Sequence, residues 1–202
     1  MAKDRVYLDW NATTPLRPEA RAAMAAAWDL VGNPSSVHAE GRQARRVVED
    51  ARSAVAGAVG ADSRNVVFTS GGTEANVLAL TPGLVRKPGV PVRRLIVSAV
   101  EHASVLAGGR FADGDLQVLG VDRQGVVKPD ELRAILADEE PSLVSVMLAN
   151  NETGALQPIP ELAGIVHEAG GLLHVDAVQA FGKISVNISQ YQSIPVIISK
   201  NQ

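Results

Sequence analysis

Short apolar runs, each bounded by turn residues, constrain the fold of this chain more than any other feature. The runs are too short for helices and are apolar at successive positions, which is typical of strands that are buried on both faces of a sheet. They are Leu95–Ser98, Leu116–Val121, Leu143–Leu148 and Leu172–Val175, and a further strand is predicted at Val66–Thr69. Because helix-like segments alternate with these strands, the sequence predicts an α/β fold with a mostly parallel sheet flanked by helices.

Helix signals precede the strands and lie between them. One helix is predicted within residues 16–30, with Pro18 in its first turn, and a second ends at Gly60, a typical stop signal. Three further helices are predicted at Thr73–Leu80, Pro129–Ala137 and Pro160–Ala169. The segment Arg86–Pro91 is predicted to be a surface loop.

The composition is that of an ordinary globular protein. The 202 residues are 46% hydrophobic and 20% charged with a formal net charge of −3, which gives no electrostatic reason to expect nucleic acid or a membrane as a partner. Without cysteine the chain has no disulfide and no cysteine-ligated metal. The N-terminal residues MAKDRVYLDW lack an apolar signal core, and no apolar run approaches the about 18 residues of a membrane span. We therefore expect a soluble, cytoplasmic protein.

Polar residues stand directly after the predicted strands. In an open α/β sheet, ligands bind outside the carboxyl ends of the strands, so these residues are candidates for one site. They comprise a glycine loop, an imidazole, two amides and a carboxylate: Ser70-Gly71-Gly72-Thr73, His102, Asn150, Asn151 and Asp176. A buried aspartate needs a cation or a hydrogen-bond donor, and the apolar run before Asp176 predicts that this carboxylate is buried.

Each candidate also has a structural interpretation. The glycine pair could be a tight turn, and it matches neither a nucleotide P-loop nor a dinucleotide fingerprint. His102 could be a capped loop histidine, and the two asparagines could be turn formers. Asp176 could cap a helix, and Gln179 could be a solvated polar residue.

Taken together, the candidates satisfy what pyridoxal phosphate requires of a protein. Glycine N–H groups at a helix start suit the phosphate. An anionic partner keeps the pyridine nitrogen protonated, so that the ring acts as an electron sink. Asp176 is the candidate for that partner.

Six stretches, in order from Tyr7 to Ile184, resemble the cysteine desulfurases, which belong to the class V aminotransferase group of fold-type I pyridoxal-phosphate enzymes. They are YLDWNATTPLRPEA, GNPSSVHAEGRQAR, VVFTSGGTEANVLAL, VEHASVL, LANNETGALQPI and HVDAVQAFGKI. The chain departs from the pattern at Trp10-Asn11-Ala12, where Asn-Ala-Ala is commoner, and the similarity fades after Ile184.

The resemblance implies a role for each matching position. Gly72 and Thr73 would bind the phosphate, and His102 would stack on the ring as the catalytic histidine. Asn151 would lie beside cofactor and substrate. Asp176 would contact the ring nitrogen and Gln179 the phenolic oxygen. Ser199 would match a serine that precedes the Schiff-base lysine.

The resemblance also implies an activity and a domain organisation. The family removes sulfur from L-cysteine, leaving L-alanine and an enzyme-bound persulfide. Its members are homodimers that pass sulfur to acceptor or iron–sulfur scaffold proteins. Residues 1–15 would be an arm belonging with a small domain, and residues 16–202 an incomplete large domain of a fold-type I enzyme.

Two reactive side chains of the family have no counterpart in this sequence. An ungapped register places Gln202 at the position of the Schiff-base lysine, and Lys200 lies two residues earlier. The sulfur-accepting cysteine is also missing. The expectation is therefore a truncated chain that is inactive by itself.

Two other functions remain open on the residues alone. His174 and Asp176 share a strand face and His102 could complete a metal site, which would favour a metal-dependent hydrolase. Alternatively, the chain could be a non-catalytic truncated relic that pairs with a full-length relative.

Overall fold

The computed structural model describes residues 5–87, 90–138, 140–191 and 196–197. The chain divides into two compact units, the first ending at Phe68 and the second beginning at Thr69. The predicted boundary after residue 15, between an arm and a large domain, stays a prediction.

The first unit contains two helices, α1 (Pro18–Trp28) and α2 (Ala39–Val59), and a 3₁₀ turn at Ser63–Asn65. Pro18 occupies the first position of α1, where its missing N–H costs no hydrogen bond. Helix α2 ends at Gly60, whose φ of 67° lies in the left-handed region that glycine adopts without strain. Both sequence signals for these helices are confirmed.

The strand predicted at Val66–Thr69 is wrong, because the structure assigns no strand there. Arg52 of α2 holds the segment instead. Its guanidinium donates a hydrogen bond to the carbonyl oxygen of Val66 and lies 5.0 Å from the ring centroid of Phe68. Val67 remains 76% exposed. A β-branched apolar run forms a strand only where a neighbouring strand satisfies its backbone, and no strand pairing is recorded for residues 66–69 in the described chain.

The second unit contains the remaining helices and all the strands of the described residues. In chain order these are α3 (Gly72–Ala79), β1 (Val85–Lys87), β2 (Val90–Pro91), β3 (Arg94–Ser98), α4 (Ala103–Leu106), β4 (Leu116–Leu119), α5 (Pro129–Leu136), β5 (Ser142–Ser145), α6 (Ile159–Glu168), β6 (Leu172–Asp176) and β7 (Val196–Ile197). Strands β1 and β2 pair antiparallel where a loop is predicted. No helix of the described residues is long and apolar enough to cross a membrane.

Within the described residues the main sheet has five parallel strands in the order β4-β3-β5-β6-β7. Leu95 lies opposite Leu116 on one side and Leu143 on the other, and Leu143 lies opposite Leu172. Because the strands are parallel, the residues that follow them emerge at one edge of the sheet. The predicted α/β class and parallel sheet are confirmed.

Both faces of the sheet are covered at the inner strands β3, β5 and β6, which explains their runs of successive apolar residues. Ile96, Val144 and Leu173 face the core formed with α5 and α6, where Leu132, Ile159 and Leu162 are fully buried. Leu95, Val97, Leu143 and Leu172 belong to a separate core on the opposite face, with Leu80 and Val105. Two buried faces hold the strands rigidly, and the carboxyl edge between them carries the polar residues.

Candidate functional site

The structure brings most of the predicted site residues to the carboxyl edge of the sheet in the second unit. Asp176 is the last residue of β6, and Glu101 and His102 follow β3 by a short turn. Asn150 and Asn151 follow β5, and Gly72 begins α3. Ser199, the remaining candidate, lies outside the described residues.

Asp176 is buried, with 5% of its surface exposed. Its Oδ1 accepts a hydrogen bond from the backbone N–H of Val178 at 3.0 Å, and its Oδ2 accepts one from Nδ2 of Asn76 at 3.3 Å. No lysine or arginine of the described residues forms an ion pair with it. The carboxylate is thus stabilised by neutral donors, and it remains able to receive a cationic donor from a ligand.

The glycine loop before α3 is open and already organised. Ser70 donates to Oε2 of Glu74 from both its backbone N–H and its hydroxyl, each at 2.6 Å, and these hydrogen bonds lower the pKa of Glu74. A Cβ built on Gly71 would meet no atom within 4 Å. The first N–H groups of α3 have no acceptor within the helix. The loop therefore presents backbone donors beside open space, which suits a phosphate.

The predicted capping role of His102 is confirmed, and its stacking on a cofactor ring stays a prediction. His102 caps α4, since its Nδ1 accepts a hydrogen bond from the backbone N–H of Ser104 at 3.1 Å. The residue is nevertheless exposed, so a ligand can reach its ring. Capping fixes the imidazole at the sheet edge and does not prevent it from contacting a cofactor.

The two asparagines after β5 differ in their contacts. Asn150 is buried and forms the turn, because its Oδ1 accepts from the backbone N–H groups of Glu152 and Thr153 at 2.9 and 2.8 Å. Its Nδ2 also donates to the carbonyl of Val100 at 3.0 Å, which fastens the loop before His102. Asn151 is half-buried and donates from Nδ2 to Glu152 at 2.7 Å. The turn-forming interpretation holds for Asn150.

Gln179 is half-buried near the end of β6. Its Oε1 accepts a hydrogen bond from Nζ of Lys183 at 2.6 Å. The contact brings a cation to the carboxamide, three residues beyond Asp176. This geometry is compatible with the predicted contact of Gln179 to a phenolic oxygen, which stays a prediction.

Glu101 is a buried acid to which the sequence assigned no role. It is 6% exposed, and its Oε1 accepts hydrogen bonds from Ser98 Oγ at 2.5 Å and from the backbone N–H of Met147 at 2.6 Å. Burial raises the pKa of Glu101 to about 8, and the nearby charge of Asp176 adds to the effect, while the two hydrogen bonds oppose it. The carboxyl group joins the loop after β3 to the residues after β5, directly before His102.

The metal-site hypothesis built on His102, His174 and Asp176 is wrong. His174 is fully buried and its Nδ1 is paired with Ser145 Oγ at 2.7 Å. Burial lowers the pKa of His174 to about 4. The described ranges contain no group of three histidine, aspartate or glutamate side chains that could hold a metal ion. His174 shares a strand with Asp176, but it is part of the core and its ring is closed to solvent.

The residues at the edge fit pyridoxal phosphate in their chemistry. A buried carboxylate with neutral partners suits a pyridinium nitrogen, open glycine N–H groups suit a phosphate, and an exposed imidazole suits the face of a planar ring. The sequence did not identify Asn76 and Ser104, which contact Asp176 and His102. The signal for Asn76 was an amide between Ala75 and the apolar run Val77-Leu78-Ala79 of α3.

Comparison with known proteins agrees with this chemistry. The family model described as aminotransferase class-V matches residues 6–197. A cysteine desulfurase IscS of Dictyoglomus turgidum is 43% identical over 192 residues, covering 93% of this chain and 48% of that relative. A cysteine desulfurase of Cereibacter sphaeroides is also 43% identical, covering 91% and 48%. The chain thus spans about half the length of the curated relatives it matches.

Solved structures show the same similarity in three dimensions. A NifS-like protein of Rickettsia africae superposes with a TM-score of 0.86 at 34% identity, covering 96% of this chain and 53% of that one. A structure described as SspA in complex with cysteine superposes with a TM-score of 0.83 at 27% identity, covering 96% and 56%.

Proposed function

Because the chain belongs to the class-V aminotransferase family, we propose that the protein is a pyridoxal-phosphate-dependent cysteine desulfurase with its cofactor at the carboxyl edge of the sheet. The observation that carries the proposal is the buried carboxylate of Asp176 at the end of β6, where the donors among the described residues are the neutral amide of Asn76 and the backbone N–H of Val178. The residues proposed to bind the cofactor are Gly72, Thr73, His102, Asn151, Asp176, Gln179 and Ser199.

The names of the relatives support L-cysteine as the substrate. Two of them are cysteine desulfurases, and the structure of SspA contains cysteine. The proposed reaction converts L-cysteine and an enzyme thiol into L-alanine and an enzyme persulfide. These 202 residues contain no cysteine, so the thiol that receives the sulfur is not among them.

Different groups of the protein would bind different parts of the cofactor. Asp176 would accept the N–H of the ring nitrogen and hold that nitrogen protonated, because the buried carboxylate gains a cationic partner in place of water. Backbone N–H groups of Gly72 and Thr73 would bind the phosphate, and His102 would lie against the ring. When bound, the cofactor supplies an electron sink for the bonds of the substrate.

Partners and location follow from the family assignment as part of the proposal. We propose a homodimer that transfers sulfur to an acceptor or iron–sulfur scaffold protein in the cytoplasm. The weakly acidic composition supports neither nucleic acid nor a membrane surface as a partner.

The test is binding of pyridoxine 5′-phosphate, measured by equilibrium dialysis. This compound keeps the ring nitrogen and the phosphate but has an alcohol where the cofactor has an aldehyde, so it reports the site without reacting with lysines. Asp176→Asn removes one charged hydrogen bond and should weaken binding about 10- to 100-fold. Pyridoxine without the phosphate should bind more weakly still.

The control is Glu168→Gln, which removes an exposed carboxylate at the end of α6 and should leave the affinity unchanged. Equal affinities of Asp176→Asn and the unsubstituted chain would refute the role of Asp176. Equal affinities for pyridoxine and its phosphate would refute the phosphate site at the glycine loop.

A further inference from the structure

A continuous chain of hydrogen bonds joins Asp176, which is proposed to bind the ring nitrogen of the cofactor, to His102, which is proposed to lie against the ring. Asn76, in α3, is 2% exposed and places Nδ2 2.8 Å from Ser104 Oγ and 3.3 Å from Asp176 Oδ2. Ser104 Oγ in turn lies 2.8 Å from Nδ1 of His102. The chain of hydrogen bonds therefore runs from Asp176 through Asn76 and Ser104 to His102, across three elements of the second unit.

The direction of each hydrogen bond follows from the groups themselves. A carboxylate only accepts, so the amide of Asn76 must turn Nδ2 toward Asp176, and its second N–H points to Ser104 Oγ. The hydroxyl of Ser104 accepts that bond and keeps its own hydrogen for Nδ1 of His102.

The backbone sets the same direction at the histidine. The N–H of Ser104 can only donate, and it lies 3.1 Å from Nδ1 of His102. Nδ1 is therefore an acceptor, and the hydrogen of the neutral ring is carried by Nε2. The backbone N–H and the hydroxyl of Ser104 thus both donate to Nδ1 of His102.

We propose that Asn76 and Ser104 are positioning residues that couple the carboxylate of Asp176 to the imidazole of His102 and hold that imidazole as its Nε2–H tautomer. Asn76 orients the carboxylate of Asp176 and the hydroxyl of Ser104 with the two hydrogens of its amide. A displacement of Asp176 therefore alters the hydrogen bond to His102, and a displacement of His102 alters the hydrogen bond to Asp176. The effect of this coupling on cofactor binding rests on the proposed function. The tautomer of His102 is independent of the proposed function.

The orphaned oxygen of Asn76 supports this assignment. Its Oδ1 is buried and has no hydrogen-bond partner within the described part of the chain. Leaving a buried carbonyl unpaired costs free energy. The amide of Asn76 nevertheless has the orientation in which both of its N–H groups donate, one to Asp176 and one to Ser104. This orientation is expected if the function of Asn76 is to supply these two donors.

The first test reads the ring nitrogens of His102 by NMR in the ligand-free chain, with signals assigned by a His102→Gln variant. The unsubstituted chain should show a hydrogen-bonded, pyridine-type Nδ1. Ser104→Ala should move that signal toward the position of a non-bonded nitrogen, and Ser104→Thr, which keeps the hydroxyl, should not.

Asn76→Ala gives the decisive comparison because the hydrogen bonds of Asn76 go to Ser104 and Asp176 and so reach His102 only through Ser104. It should shift the Nδ1 signal in the presence of Ser104 and cause no further shift in a Ser104→Ala background. An Nδ1–H tautomer in the unsubstituted chain, or a signal unaffected by Asn76→Ala, would overturn the inference. If Asn76→Ala does not fold, the Ser104→Ala variant, at a half-buried residue, tests the inference by itself. An Nδ1 signal that is unchanged in Ser104→Ala would overturn the inference.

The second test is affinity for pyridoxine 5′-phosphate. Ser104→Ala should raise the dissociation constant about fivefold, as expected for one lost hydrogen bond, and Ser104→Thr should restore it. Ser185→Ala, at an exposed serine of the same unit, should have no effect. No binding by the unsubstituted chain would refute the proposed function, and the NMR result would then decide the inference by itself.

Discussion

Replacing Glu101 with glutamine should remove a pH dependence from the stability of this protein. Glu101 is 6% exposed, and burial raises its pKa from the ordinary 4.5 to about 8. Glutamine keeps an oxygen that can accept from Ser98 Oγ and from the N–H of Met147, and it cannot ionise. The substitution therefore imitates the protonated acid with little change in volume.

The sign follows from the two states of the carboxyl group. Below pH 4.5 it is protonated in both folded and unfolded chains, so its contribution to stability is fully present. Between pH 4.5 and about 8 the folded chain keeps a proton that the unfolded chain releases, so the contribution of Glu101 to the free energy of unfolding falls as the pH rises. At about 1.4 kcal/mol for each pH unit, the loss is on the order of 5 kcal/mol. A typical domain is stable by only about 5–15 kcal/mol, so this loss is measurable.

The assay is urea unfolding followed by circular dichroism at several pH values between 6.5 and 8. Below this range the buried His174, whose pKa is lowered to about 4, contributes a slope of the opposite sign. The unsubstituted chain should lose stability across this range, while Glu101→Gln should show a much flatter profile. Glu168→Gln, which changes an exposed glutamate, should retain the slope of the unsubstituted chain. Parallel profiles for Glu101→Gln and the unsubstituted chain would refute the argument that burial of this carboxyl group governs the slope.

Packing in the second unit leads to two further predictions, measured by urea unfolding at one pH. Gly171→Ala should destabilise the chain by about 1–3 kcal/mol, because a Cβ there would lie 2.6 Å from the carbonyl oxygen of Ser142. The matched change Gly164→Ala, in α6 with nothing within 4 Å of its Cβ, should stabilise by about 0.5–1 kcal/mol, and equal effects would contradict both. Leu162→Ala should cost about 2–5 kcal/mol because Leu162 is fully buried, whereas Leu78→Ala, at a leucine that is 44% exposed, should cost much less.

Most of the fold was predictable because its signals are local. Strands buried on both faces need successive apolar residues, and β3, β5 and β6 contain them at Leu95–Val97, Leu143–Val144 and Leu172–Leu173. Proline at the start of α1 and glycine at the end of α2 marked helix boundaries for steric reasons that act within a few residues. The same local signals failed at Val66–Thr69, where an apolar β-branched run is held by Arg52 and has no strand beside it.

The candidate site was predictable only in part. Strand ends located His102, Asn151 and Asp176, because parallel strands bring the residues that follow them to one edge. The same reasoning counted Asn150 as a candidate, and the structure shows that it forms the turn. The prediction succeeded only in part because strand order tells which residues lie at the carboxyl edge of the sheet, but not which way their side chains point.

The sequence by itself determined the class of the fold, the edge of the sheet at which the proposed site lies and the family to which the chain belongs. The tertiary structure decided which polar atoms meet. Asn76 and Asp176 are 100 residues apart in the chain, and Asn76 and Ser104 are 28 apart. It also decided that Glu101 and His174 are buried, with the pKa of one raised and of the other lowered. The physical reason is that backbone preferences act between neighbours in sequence, whereas desolvation and hydrogen bonding act between neighbours in space.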